Sequence, residues 1–316
     1  MPAQVTPAQA LFSYQDWLAR QPLSAHTRRT YLGRVRQYCA YLVATPAEYG
    51  DPLRQPHARD YAVRDYKALL KTSHHAKPTS VNLTLAALDH FYQFLGLERP
   101  NVTREDLRQQ APKALEPDEQ KQFLRAVERR TSLRDRALAI LLFYTGLRLQ
   151  ECADLTVDDV RLSARKGVVI VRSGKGETYR EVPLNAQTRD ALSAWLRARR
   201  RTFPESPDPA FWLSRQGRRL STRAIDLVIR QLGQEARVSL SAHTLRHTCL
   251  TTLVRQGADL VLVAEIAGHR RLETTRRYSL PTARDRKRPW NGCRWSSEGA
   301  MDVTTPGSRM PCPSSF

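Results

Sequence analysis

HTLRHTCLTTLV, residues 243–254, reads as an amphipathic helix whose apolar side carries two groups that do not belong in oil. Advancing 100° per residue from Leu245 at 0° places Cys249, Leu253, Leu250 and Val254 at about 40°, 80°, 140° and 180°. Arg246, at about 100°, and His243, at about 160°, fall inside that arc. Burying an unpaired charge costs several kcal/mol, so these groups require either an acidic partner or a cleft that receives an anion. His243 and His247, four residues apart, also invite a metal reading, but the glutamate of HExxH is missing and no Cys or carboxylate stands at a ligand spacing. Neither a metal nor another cofactor is expected.

Upstream, LRDRALAILLFYTG (133–146) is apolar around most of the helix circumference after Ala137, which predicts a helix central to a core, with Gly146 as its stop. TGLRLQE follows, with Arg148 three residues before Glu151. GVVIV (167–171) and TYREVPL (178–184) are β-branched runs on either side of RSGKGE, a hairpin signal with Lys175 near its tip. Helices resume near Ala186, Ser221, His243, Asp259 and Leu272, and AGHRRLETTRRYS (267–279) brings His269 and Tyr278. Each of these residues alone has an ordinary explanation: Glu151 a surface acid, Lys175 a solvated turn lysine, Tyr278 packing on an amphipathic helix.

Residues before this region are helical in pattern, over about 8–20, 25–44, 57–72 and 79–95, with a short further helix after Thr103. QQAPKALEP (109–117) carries two prolines and no period, so a hinge is expected there. The reading is therefore a helical domain over 1–108, a linker over 109–116, a mainly helical domain with one small sheet over 117–283, and a tail without fixed structure over 284–316.

The chain has 316 residues, a formal charge of +20 and a pI near 10.4, with 41% hydrophobic residues. The excess charge thus sits on a folding sequence, with +5 over residues 1–112, +12 over 113–283 and +3 beyond, and a polyanionic partner is the first expectation. No apolar run approaches the roughly 20 residues of a membrane span, and the N-terminus lacks the order of a secretion signal. A cytoplasmic, nucleoid-associated protein with no membrane partner is expected. The five cysteines are scattered and free of CxxC spacing, which argues against a disulfide framework and a zinc knuckle.

TGLRLQE, SGKGETYREVPL, HTLRHT and GHRRLETTRRY, in that order, resemble the tyrosine recombinases, the phage-integrase and Xer-like family. The resemblance covers about residues 8–280. It implies a two-domain C-shaped clamp, a helical SAM-like core-binding domain plus a mixed α/β catalytic domain, closing on double-stranded DNA at specific core sites. Position by position, Arg148, Lys175, His243, Arg246 and His269 match the activating residues, Tyr278 the nucleophile and Glu151 a supporting acid. The implied activity is site-specific strand exchange, as in integration of a mobile element, through a 3′-phosphotyrosyl intermediate. Arg148 and Arg246 would clamp the scissile phosphate, Lys175 would be the general acid, and His243 would help remove the Tyr278 proton. Neither ATP nor metal is implied. The partners implied are further copies of the chain, a tetramer on synapsed DNA, with room for a second recombinase or an accessory protein. A type IB topoisomerase and a non-catalytic DNA-binding regulator descended from a recombinase remain the competing readings.

Two places depart from the family pattern. Pro281 and Pro289 oppose the long helix that members carry after the tyrosine, and residues after about Arg288 are expected to be dispensable. Ala267 stands where a larger apolar residue is common.

Overall fold

The computed structural model describes residues 6–45, 50–107, 111–173, 178–204, 208–269 and 271–280, and the backbone of 293–295 and 301–303. Two compact units divide the chain at residues 108 and 109. The whole is mainly helical with a small antiparallel sheet.

Among the described residues the first unit holds four helices, α1 (Pro7–Ala19), α2 (Ala25–Ala44), α3 (Pro56–Thr72) and α4 (Pro78–Phe94). Their starts are written in the sequence. Thr6 and Gln9 satisfy each other's backbone N–H groups at α1, Ser24 caps α2, and α3 and α4 open on proline, whose missing N–H costs nothing in a first turn. The core between them is aromatic, with Tyr14, Tyr38, Tyr66, Phe91 and Tyr92 all buried. Buried phenols need partners: Tyr38 and Tyr92 hydroxyls meet at 2.7 Å, and Tyr14 meets His90 Nδ1 at 3.0 Å.

Over the described residues 104–107 the helix expected after Thr103 does not form. Side chains of α3 and α4 take up that backbone instead. Asn82 Nδ2 donates to the Glu105 carbonyl and Asn82 Oδ1 accepts from the Glu105 N–H, both at 2.8 Å, while Lys67 donates to the Thr103 carbonyl. These bonds fix the segment against the helices, and local propensity loses to them.

In the second unit, α5 (Pro117–Arg129) and α6 (Leu133–Thr145) lead to a short helix, α7 (Leu149–Asp154). Strands β1 (Val160–Leu162), β2 (Gly167–Ser173) and β3 (Thr178–Pro183) follow in the antiparallel order β1-β2-β3, with Val171 paired to Arg180 and Val169 to Val182. Helices α8 (Ala186–Thr202), α9 (Thr222–Glu235), α10 (Ala242–Arg255), α11 (Leu260–Ala267) and α12 (Leu272–Arg276) complete it, ending on a 3₁₀ turn, Arg277–Ser279. The hairpin is where the sequence puts it; β1, three residues long, is too short to leave a periodic signal.

Helix α6 is buried from Ala137 to Phe143 and packs between α8 and α10. Its all-round apolar pattern has exactly that physical origin in a helix with neighbours on every side. The end of the linker stretch belongs to this core: Leu115 is buried, and its N–H donates to Thr248 Oγ1 at 2.9 Å. In the tail, expected to lack fixed structure, β4 (Cys293–Trp295) and β5 (Met301–Val303) pair antiparallel; the remainder after residue 280 lies outside the described residues.

Gly146 ends α6 in the left-handed region, φ 62°, where a Cβ would lie 3.3 Å from Cys249 Sγ. Alanine there carries the left-handed cost of about 1–2 kcal/mol and a tight contact besides. Gly146→Ala should therefore lower unfolding stability by at least about 1 kcal/mol in denaturant titration, without loss of the helical circular-dichroism signature.

Candidate active site

The arc of α10 carries the first half of the site. Arg246 is 4% exposed, and among the described residues no carboxylate lies within ion-pair distance of it. Its guanidinium is satisfied otherwise: Nη1 donates to the Gly146 carbonyl at 2.5 Å, and Nη2 donates to the Ala267 carbonyl at 2.7 Å and to His269 Nε2 at 3.0 Å. Burial, with Arg148 nearby, pulls its pKa down to about 10, which still leaves a cation at neutral pH. Of the two outcomes the sequence allowed for this arginine, an acidic partner is absent among the described residues.

Arg148 and Glu151 face each other across the first turn of α7. The Arg148 backbone N–H donates to Glu151 Oε2 and its Nη1 to Glu151 Oε1, both at 2.8 Å, while Nη2 donates to the Gly268 carbonyl at 2.8 Å. Glu151 also receives Arg180, from β3, at 3.1 and 2.8 Å, and Arg180 Nε donates to the Ile266 carbonyl at 2.9 Å. Burial raises the Glu151 pKa, but the bonds from Arg180 and Arg148 outweigh it and hold the carboxyl at about 2. The close approach depends on Gly268, left-handed at φ 62°, where a Cβ would meet Arg180 Nη1 at 2.8 Å and Arg148 Nη1 at 3.2 Å.

His269 comes one residue after that glycine. Arginine can only donate, so the Nε2 facing Arg246 is an acceptor, and Nδ1 must carry the proton that Thr275 Oγ1 accepts at 2.8 Å. Burial, then Arg246, lowers the His269 pKa to about 4, in keeping with a neutral ring. The ring of Tyr278 lies parallel to it, centroids 6.1 Å apart and planes 5° apart.

Tyr278, on the 3₁₀ turn, is 6% exposed, and its hydroxyl meets His247 Nδ1 at 3.1 Å. Burial raises the phenol pKa, and Arg246 and Arg277 pull against that rise. His247 itself is pushed down to about 4, by burial first and then by His243 and Arg277. His243 stacks edge-on against His247, centroids 4.0 Å apart, and is exposed although the helical wheel places it on the buried arc. Helical period tells which side faces a core, not how far along the axis the core reaches, and His243 sits in the first turn of α10.

The structure thus brings Arg148, Glu151, Arg246, His269 and Tyr278 together around the end of α11, where the carbonyls of residues 266–268 accept from three arginines, with His243 at the margin. Lys175 lies outside the described residues. Two members were not singled out from the sequence. Arg180 had a signal: in TYREVPL, Tyr179 is exposed and Val182 buried, so alternation puts an arginine on the inward face of a strand. His247 was weighed only as a metal ligand; among the described residues no group of three or more His, Cys, Asp or Glu side chains is placed to hold a metal. Four guanidinium groups, of Arg148, Arg180, Arg246 and Arg277, surround neutral imidazoles, a phenol and a single carboxylate. Such a site attracts an anion and offers it donors in fork geometry.

Residues 113–284 match the model of the phage integrase family, and residues 11–99 that of the phage integrase N-terminal SAM-like domain. A tyrosine recombinase XerA of Thermococcus kodakarensis is 32% identical over 282 residues, covering 87% of this chain and 92% of that protein. A tyrosine recombinase XerC of Pseudomonas syringae is 32% identical, covering 83% and 87%. Among solved structures, a XerH site-specific recombinase bound to its difH substrate has a similar fold, with TM-score 0.68 at 19% identity over 91% of this chain and 89% of that one. A lambda integrase dimer bound to a COC′ core site gives TM-score 0.64 at 15% identity over 90% and 97%. No helix among the described residues is long and apolar enough to cross a membrane.

Glu151 titrates below an ordinary carboxyl, so it stabilises the fold above about pH 4.5 and that contribution is lost as pH falls toward about 2. Glu151→Gln should flatten the acid limb of the stability curve in this window. Arg180→Met, which leaves Glu151 with Arg148 alone, should cost about 1–3 kcal/mol in thermal or denaturant unfolding at pH 7.

Proposed function

We infer the function of this chain from its family, for it belongs to the phage integrase family of tyrosine recombinases: it is a site-specific DNA recombinase that cuts and rejoins strands through Tyr278. The observation that carries this reading is the Tyr278 hydroxyl itself, bonded to His247 and acted on by the cationic side chains of Arg246, Arg277 and Arg148. Relatives solved on their DNA sites, and the formal charge of +20, support duplex DNA as the substrate.

A phosphodiester resists attack because it is an anion. Arg246 and Arg148 would exchange their carbonyl partners for its non-bridging oxygens and stabilise the charge that builds as phosphorus becomes five-coordinate. His243, exposed at the margin, and His269 would add hydrogen bonds to the phosphoryl group. The Tyr278 oxygen attacks in line, a 3′-phosphotyrosyl ester forms, and Lys175 protonates the departing 5′ oxygen. The ester keeps the bond energy for rejoining, so no nucleotide is consumed. Recombination requires two duplexes, and we propose that the chain acts as a homotetramer on the synapsed pair.

On a nicked suicide duplex carrying the chain's own core site, the wild-type protein should leave DNA bound covalently after denaturing electrophoresis. Tyr278→Phe should leave none while binding the duplex within about threefold of wild type, since one hydroxyl is a small part of a phosphate-dominated interface. An adduct that persists in this variant would remove Tyr278 from the reaction. Lys175→Ala should slow cleavage by about 100-fold or more, and a sulfur in place of the 5′ bridging oxygen should restore it, because a thiolate leaves without a proton.

A further inference from the structure

We propose that His247, and not His243, is the base that takes the Tyr278 proton, an assignment that rests on the recombinase reading above. As the Tyr278 oxygen bonds to phosphorus, its proton passes to His247 Nδ1, the electron pair of the breaking P–O5′ bond stays on O5′, and Lys175 protonates that oxygen. On rejoining, the 5′-hydroxyl attacks phosphorus, Lys175 recovers its proton, and Nδ1–H returns the other to the tyrosine oxygen.

Geometry selects this imidazole over the two others. His247 Nδ1 is 3.1 Å from the phenol oxygen, within range for direct transfer. His269 lies parallel to the tyrosine ring, its one lone pair, on Nε2, accepts from Arg246, and its Nδ1 carries the proton given to Thr275, so neither nitrogen is free to take the phenol proton. His243 touches the His247 ring and, among the described residues, makes no hydrogen bond to Tyr278. Glu151 is occupied by the Arg148 backbone, Arg148 and Arg180. Arginine side chains accept nothing.

The groups that bear on His247 come from every element around it: His243 and Arg246 on its own helix, Arg277 and Tyr278 on the 3₁₀ turn, and His269 after α11. Together with burial they keep the ring neutral, which is the state a base needs. An arriving phosphate brings negative charge against those arginines, and that raises the basicity of a neighbouring imidazole. The phenol's own acidity rises once its oxygen begins to bond to phosphorus, so the proton moves along the reaction and not before it.

A buried phenol also needs a hydrogen-bond partner for stability alone, and the test must separate that from base chemistry. Single-turnover cleavage of the nicked duplex is measured for wild type, His247→Ala and His247→Asn, with DNA binding followed by fluorescence anisotropy. Asparagine keeps an acceptor near the place of Nδ1 but takes up no proton. Both variants should bind DNA like wild type and cleave about 100-fold more slowly or worse. Imidazole added to His247→Ala should restore at least about tenfold, with ring-substituted imidazoles rescuing in order of their basicity. The assignment is overturned if either variant cleaves within about threefold of wild type, if asparagine alone restores the rate, or if added imidazole restores nothing. Should His247→Ala fail to fold, the asparagine variant decides the matter by its rate. If wild type itself forms no Tyr278 adduct, the recombinase reading falls and the assignment with it; a normal wild-type adduct beside a fast His247 variant removes the assignment alone.

Discussion

A buried guanidinium with no carboxylate within ion-pair distance among the described residues is the constraint on which the second unit is arranged. Arg246 satisfies it with the carbonyls of Gly146 and Ala267, and these are not arbitrary acceptors. They stand at the C-termini of α6 and α11, where unsatisfied carbonyls and the helix dipole concentrate partial negative charge. Gly146 and Gly268 are both left-handed, and each turns the chain sharply as its helix ends. Two helix ends thus do for Arg246 what an acid would otherwise do. The difference matters chemically, because partial charges leave the guanidinium's full positive charge available to a ligand.

Glu151 shows the complementary choice. It is a single carboxylate shared between Arg148 and Arg180, so it orients two arginines while cancelling one charge. The site keeps a positive balance, and that balance comes from arginines, which no physiological pH discharges. Burial first, and then the same field, keeps the imidazoles neutral. His247 and His269, both at about 4, act near neutrality as hydrogen-bonding groups and not as further cations.

Much of this was legible in the chain because the determinants are local. Ser24, Ser132, Ser221, Ser241 and Asp259 each cap the helix that follows them, the apolar circumference of α6 follows from its neighbours on several sides, and the inward position of Arg246 follows from the period of α10. The misses have a common cause in long-range contact. Residues 104–107 are not helical because Asn82 and Lys67, distant in sequence, bond the backbone at Glu105 and Thr103. His243 is exposed because it sits in the first turn of α10, a position along the axis that a helical wheel does not carry. Arg180 earns its importance from Glu151, 29 residues earlier, and from a carbonyl on α11, and only the alternation of a strand hinted at it.

Thr275 governs which tautomers His269 can take. In the arrangement described, His269 Nε2 accepts from Arg246 and Nδ1 donates to the Thr275 hydroxyl, so the ring has no proton to offer a phosphate on its Nε2 side. If Arg246 turns to an anion, it exchanges neutral acceptors for a charged one, and charge-assisted bonds are roughly twice as strong as neutral ones. Nε2 then loses its donor and is better placed as a donor itself, which requires the proton to leave Nδ1. A carboxylate beside Nδ1 would resist that change, since it can only accept. A hydroxyl can reverse, donating to Nδ1 as readily as it accepted from it. Thr275 is fully buried, 0% exposed, so its hydroxyl is held against His269 in either role. The small, reversible polarity of a threonine therefore leaves both tautomers of His269 open, and with them the passage from a site closed on its own carbonyls to one that grips an anion.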